Sequence, residues 1–154
     1  MNLGLGGAII DIYSVSDRNR VQRFPGAEAA FSPDGRWITY TASSGELLLQ
    51  AFPGPGAHIQ ISNGGGAQPR WSRDSTRLYY IAPDRKLMMV RFDPGGNSPG
   101  TPQAIMQTRI IGSHFVFIQY DVAADGARFL INSLPPSGGG PLALVTNWAA
   151  DLKK

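Results

Sequence analysis

The sequence predicts an all-β protein: a β-propeller segment of four-stranded antiparallel sheets, with about three blades per chain. The first observation is a repeat, because Phe31–Tyr40 recurs 40 positions later as Trp71–Tyr80. The same shift carries Leu47–Phe52 onto Leu87–Phe92, so the repeat extends well beyond one turn. The second is composition: 19 Gly and 12 Pro in 154 residues are typical of many tight turns and few long helices. Repeats of this length indicate propellers or solenoids.

Each of the two full repeats divides into four short strands separated by turn residues. The first predicted blade covers residues 27–62, with strands Glu28–Ser32, Trp37–Ala42, Leu47–Phe52 and His58–Ser62. The second covers residues 67–107, with strands Gln68–Ser72, Arg77–Ala82, Leu87–Phe92 and Gln103–Gln107.

The two ends of the chain are predicted to hold incomplete blades. Residues 9–24 read as a partial blade, and residues 115–148 as a blade that lacks its outer strand, with strands Phe117–Val122, Arg128–Ser133 and Leu142–Trp148. A propeller protects its sheet edges only when the ring is closed. We therefore expect a homodimer of about six blades, in which an N-terminal strand completes the partner's third blade. A fragment of a longer single-chain propeller is the alternative.

A turn motif opens each repeat. In the first copy Pro33 presets φ, Asp34 can bond its own downstream backbone, and Gly35 can take the left-handed conformation that closes a hairpin. We therefore interpret the repeated aspartates Asp34, Asp74 and Asp125 as turn residues rather than catalytic acids. Ser75 replaces the glycine of the second copy, which predicts a strained turn or a different turn type.

These motifs resemble the WD40-like (PD40) propellers of TolB and its relatives. The likeness is carried by Phe31-Ser32-Pro33-Asp34-Gly35 and by Gln68-Pro69-Arg70-Trp71-Ser72-Arg73-Asp74. The segment Ile61–Gly66 and the ending Asn147–Lys154 are similar to the C-terminal propellers of bacterial serine/threonine kinases. The resemblance implies a sensing, docking or assembly platform in a periplasmic or other extracytoplasmic location. It covers no kinase segment, so any kinase domain would lie on other sequence.

Few classes of chemistry fit the composition. The net charge is +3 and the charged residues are scattered, so no nucleic-acid-binding patch is predicted. Cysteine is absent, which excludes disulfides and thiolate-ligated metals. Only His58 and His114 could supply an imidazole, and neither belongs to a metal-binding motif. The N-terminus does not fit a signal peptide or a membrane span. We expect no catalytic residues, no metal and no cofactor.

The candidate site is the row of polar residues that aligned inner strands place along the central channel. Glu28, Gln68 and Gln119 stand three positions before the inner-strand anchors, and Arg70 and Asp121 stand one position before two of them, where they could pair. The predicted function is a non-catalytic module that binds a protein, a peptide end or a small polar ligand at the channel mouth. The alternative is a propeller-type enzyme or metal-binding domain that uses channel-facing carboxylates such as Glu28 and Asp121.

Overall fold

Twelve β-strands make up the regular structure of the part of the chain described by the computed structural model, which covers residues 7–54, 56–92, 98–111 and 117–135. The strands are β1 Ile9–Tyr13, β2 Arg20–Pro25, β3 Ala27–Phe31, β4 Trp37–Thr41, β5 Leu47–Ala51, β6 Ile59–Gln60, β7 Ala67–Trp71, β8 Arg77–Ile81, β9 Lys86–Arg91, β10 Gln103–Gln107, β11 Tyr120–Val122 and β12 Phe129–Ile131. These residues include no helix, so the all-β prediction is confirmed for them. Accordingly, none of them forms a helix that could cross a membrane.

The strands form four separate antiparallel sheets. Two are four-stranded, with neighbour orders β3-β4-β5-β6 and β10-β9-β8-β7, and two are hairpins, β1-β2 and β11-β12. Each four-stranded sheet is a meander because alternating apolar strands are joined by short turns. The predicted strand Leu142–Trp148 lies outside the described residues, and β11 and β12 are shorter than the sequence predicted.

The core consists of apolar layers between successive sheets. One layer joins the two four-stranded sheets and includes Leu49, Trp71, Leu78 and Val90. A second packs the outer face of the β7–β10 sheet against the β11–β12 hairpin, and a third packs the β1–β2 hairpin against the β3–β6 sheet. The middle strands β4, β5, β8 and β9 each contribute to two layers because successive side chains point to opposite faces. The inner strands β3, β7 and β11 follow one another in space, since β7 contacts both of the others.

The repeated aspartates have the turn role expected from the sequence. Asp34 and Asp74 each accept a hydrogen bond from the serine two positions before, at 2.5 Å, and that serine also accepts the backbone N–H that restarts the next strand. The hydrogen bonds from Ser72 and from the Thr76 backbone hold the pKa of Asp74 well below its usual range. Such pKa shifts follow from hydrogen bonding to the charged form. The motif is thus explained by hairpin geometry.

Ser75 keeps the same turn type as the glycines and is strained. Its φ of 59° matches 72° at Gly35 and 65° at Gly126, and its N–H donates to the carbonyl of Ser72 as the glycine N–H groups do in their turns. A left-handed φ is unfavourable for a residue with a Cβ. The Ser75 hydroxyl oxygen accepts the N–H of Asp34 at 3.0 Å, so the side chain that causes the strain also ties the second turn to the first.

Candidate functional site

The candidate residues Glu28 and Gln68 occupy equivalent bulges in the inner strands of the two four-stranded sheets. The register of β3 against β4 shifts between Ala27 and Ala30, and that of β7 against β8 shifts between Ala67 and Arg70. Glu28 and Gln68 lie within these bulges with φ values of 53° and 56°. Non-glycine residues in this region are strained, and such strain often accompanies functional sites.

A chain of hydrogen bonds links the three inner strands through these residues. The backbone N–H of Gln68 donates to Glu28 Oε2 at 2.8 Å, and the backbone N–H of Gln119 donates to Gln68 Oε1, also at 2.8 Å. The Tyr120 hydroxyl donates to the Gln68 carbonyl at 2.8 Å. Gln68 and Gln119 are buried by this arrangement, whereas Glu28 is only partly buried. The structure therefore brings together the three residues aligned from the sequence, and the Glu28 and Gln68 side chains each accept a backbone N–H from the next sheet.

Glu28 differs electrostatically from the two glutamines that stand at the matching positions. Burial raises the pKa of the Glu28 carboxyl above its ordinary value, and the hydrogen bond from Gln68 and the charge of Arg70 only partly oppose that effect. A carboxylate whose pKa moves toward neutrality is suited to general acid–base chemistry. Among the five candidate residues, Glu28 therefore combines a reactive side chain, partial exposure and a perturbed environment.

Arg70 and Asp121 lie near this chain of hydrogen bonds without pairing. Arg70 Nη1 donates to the adjacent Pro69 carbonyl at 2.8 Å, and Asp121 Oδ1 accepts the Val122 N–H at 2.9 Å. Within the described residues neither forms an ion pair within 4.0 Å, so the pairing considered from the sequence does not occur. Local backbone groups hold both side chains instead. Arg70 is half-buried and Asp121 is exposed.

The remaining polar candidates are accounted for elsewhere. His58 is exposed and shares a 2.9 Å hydrogen bond with the Tyr40 hydroxyl, while His114 lies outside the described residues. The residues that the structure describes contain no cluster of three or more potential metal ligands. Sequence reasoning missed Tyr120, whose burial and bond to Gln68 stabilise the inner strands. Its position next to Gln119 in the aligned repeat was the available signal.

Comparison with known proteins shows a likeness to solved structures. Neither a protein-family model nor a curated protein sequence matches the chain. Among solved structures, it is similar to a putative 6-phosphogluconolactonase from Bacteroides uniformis ATCC 8492, with a TM-score of 0.50 and 14% sequence identity. The likeness is one of fold. It covers 80% of this chain and 40% of the other, so the chain spans less than half the length of that protein.

Three expectations from the sequence are corrected by these findings. The resemblance to TolB-like, PD40 propellers is wrong, because no family model matches and the structural neighbour carries a different name. The physical reason is that the Ser-x-Asp motif records a hairpin hydrogen-bond pattern, which any chain with this turn can adopt. The predictions of a non-catalytic interaction module and of a protein that is not an enzyme are also wrong, since the fold is shared with a protein named for a hydrolytic activity.

Proposed function

We propose that this chain belongs to an enzyme that hydrolyses a lactone, with Glu28 as the general base. The observation that carries this proposal is that a carboxylate, Glu28, stands where an amide side chain would serve the structure equally well. At the equivalent position in the next sheet, the amide oxygen of Gln68 accepts the corresponding backbone N–H equally well, at the same 2.8 Å. A carboxylate adds nothing to that structural bond and incurs a desolvation cost, which the raised pKa of Glu28 records.

The proposed chemistry uses groups near Glu28. A water molecule attacks the lactone carbonyl carbon while the Glu28 carboxylate removes one of its protons. The bond from that carbon to the ring oxygen then breaks, and the ring oxygen takes the proton back to become a hydroxyl. The products are a free hydroxyl and a carboxylic acid, which loses its proton to the solvent, and Glu28 is regenerated. Arg70, whose charge acts on Glu28, supplies the positive charge that stabilises the oxyanion.

The fold comparison supports a lactone as the substrate class. The name of the structural neighbour denotes the hydrolysis of a phosphorylated sugar lactone. Its sequence identity of 14% conveys fold alone, so the substrate is assigned to this chain as a proposal that rests on Glu28 and Arg70. The half-buried guanidinium of Arg70 and the exposed carboxylate of Asp121 add polar groups on the inner strands that suit a hydroxylated ligand.

An assay of lactone opening tests this function. We expect the full chain to release acid from 6-phosphogluconolactone faster than the spontaneous reaction, as followed with a pH indicator in weak buffer. Arg70→Gln should lower the rate by about tenfold to a hundredfold, because an electrostatic contact to the oxyanion is removed. Arg36→Gln removes the same charge at an exposed turn and should leave the rate unchanged. A wild-type rate equal to the spontaneous rate would reject the proposal.

We also propose that the sheets are propeller blades and that two chains together form a ring of about six. The succession of inner strands β3, β7 and β11 supports a fan of sheets about their inner edges. Within the part of the chain that the structure describes, both outer sheets have two strands where the central sheets have four, and large apolar side chains are exposed on them, including Val21 and Leu130. Exposed apolar surface of this kind is typical of interfaces.

The mass in solution tests the proposed dimer. Multi-angle light scattering of the purified chain at micromolar concentration should give about twice the 16.5 kDa chain mass. A stable, folded monomer at that concentration would reject the dimer and leave the lactonase proposal standing, since Glu28 and Arg70 lie on adjacent sheets of one chain.

A further inference from the structure

Two arginines stand directly opposite each other on neighbouring strands of the β7–β10 sheet. The register of β8 against β9 pairs Arg77 with Arg91. Side chains directly opposite in an antiparallel pair begin about 5 Å apart, and like charges in that arrangement are destabilising. A sheet with this sequence therefore concentrates positive charge at one place and requires something to offset it.

The pair faces the gap between the second and third sheets. Two residues further along the strands, Tyr79 pairs with Met89, and next Ile81 pairs with Leu87. These residues pack against the β11–β12 hairpin. Because side chains alternate with a period of two, Arg77 and Arg91 lie on the same face, at the end of the sheet where the strand β8 begins.

Backbone carbonyls of the third turn surround Arg77. Its guanidinium nitrogens lie 3.3 Å from the Gly126 oxygen and 3.4 Å from the Asp125 oxygen, and its side chain is 27% exposed. A Cβ on Gly126 would come within 2.8 Å of Arg77 Nη2, so the turn lies directly against the guanidinium. The Tyr79 hydroxyl donates to the same Gly126 oxygen at 2.9 Å. Arg77 is thus fixed in place by neutral groups.

One carboxylate near the pair offsets part of its charge. Asp74 Oδ2 forms an ion pair with Arg77 Nη2 at 3.6 Å, while Asp74 Oδ1 accepts from Ser72 and Thr76. The carboxylate of Asp125 accepts from Ala127 and Arg128. Arg91 is exposed and, within the part of the chain that the structure describes, has no ion pair within 4.0 Å. One immobilised and one unpaired guanidinium therefore share a single face.

We propose that Arg77 and Arg91 bind a phosphate group at the mouth of the gap between the second and third sheets. Guanidinium groups donate pairs of parallel hydrogen bonds to phosphate oxygens, and two of them can hold one dianion between them. The immobilised Arg77 requires little ordering on binding, and the exposed Arg91 can close onto the ligand. This anion site is separate from the Glu28 site, because its residues lie on β8 and β9 rather than on the inner strands. The phosphate can be inorganic or belong to a phosphate monoester.

Thermal unfolding at low ionic strength tests the site without an activity measurement. Inorganic phosphate and glucose 6-phosphate are titrated separately, with glucose and sodium chloride at matched concentrations as ligand controls. We expect a rise in Tm that follows the logarithm of ligand concentration above the Kd and reaches about 4 °C at ten times the Kd of the phosphate ligand. Arg91→Gln should abolish this rise, whereas Arg20→Gln, which removes equal charge on the β1–β2 hairpin, should keep it.

The Tm of Arg91→Gln without phosphate shows whether a lost response comes from lost binding or from a destabilised fold. Without phosphate, Arg91→Gln should have a Tm equal to or above that of the wild type, since a like-charge pair is removed. A response to inorganic phosphate alone identifies the free ion as the ligand, and a response to glucose 6-phosphate alone identifies a monoester. An equal rise in wild type and Arg91→Gln, or a rise proportional to phosphate concentration rather than to its logarithm, would overturn the proposal, since phosphate stabilises proteins generally at high concentration. No rise in the wild type would overturn it as well.

Discussion

Glu28→Gln is expected to reduce lactone turnover by about a hundredfold or more while leaving the fold as stable as the wild type or more stable. The loss of rate follows because an amide cannot take a proton from the attacking water, and a positioned general base contributes about 10² to 10⁴ in rate. The fold should survive because a glutamine oxygen can accept the Gln68 N–H, as Gln68 itself accepts the Gln119 N–H. The measurement is the turnover rate beside urea denaturation of the same samples.

The pH dependence of stability gives this variant a separate readout. The pKa of Glu28 is raised by burial, so the folded state binds the proton more tightly than the unfolded state. The carboxyl therefore lowers the free energy of unfolding as pH rises from about 4.5 through the folded-state pKa, and the penalty persists above it. Glu28→Gln should gain stability over the wild type at pH 7 and lose that gain near pH 4. If turnover and stability fall together, Glu28 has only a structural role.

Leu49→Ala is expected to lower the free energy of unfolding by about 2 to 5 kcal/mol. Leu49 is 0% exposed and lies in the layer between the two four-stranded sheets, with Trp71 and Leu78. Truncation leaves a cavity that rigid sheets cannot close. Urea denaturation followed by tryptophan fluorescence measures the effect, because Trp71 lies in the same layer.

The matched control is Val15→Ala, in the turn after β1, where the side chain is 95% exposed. Removal of an exposed aliphatic group should change stability by no more than about 0.5 kcal/mol. Equal losses for the two variants would mean that the two four-stranded sheets do not pack against each other in solution.

The sequence contained enough information for the strands and turns, because these depend on local patterns. The 40-residue repeat located both four-stranded sheets, and Ser32–Asp34 and Ser72–Asp74 bond within their own hairpins. The same locality explains the incorrect family assignment. A motif that forms the hydrogen bonds of one turn indicates that the turn is present. It carries little information about evolutionary descent or activity.

Alignment of the repeats also selected Glu28, Gln68 and Gln119, yet it could not distinguish them chemically. All three are long polar residues at one register position. Only the folded chain shows that Gln68 and Gln119 are buried within the hydrogen-bond chain while Glu28 is partly exposed with a raised pKa. The burial and the electrostatic surroundings of each side chain come from neighbouring sheets. The spacing of residues along the sequence does not show which sheets become neighbours.

The sequence by itself determined the all-β class, the strand order within each repeat and the positions of the turns, since φ preferences and alternating side chains act over a few residues. The tertiary structure decided how the sheets pack, that Arg70 and Asp121 stay unpaired, and that Arg77 and Arg91 face one gap. Those outcomes depend on strand register or on contacts between residues about 40 positions apart or more. Their free energies are set by how side chains pack and how deeply they are buried in the folded chain.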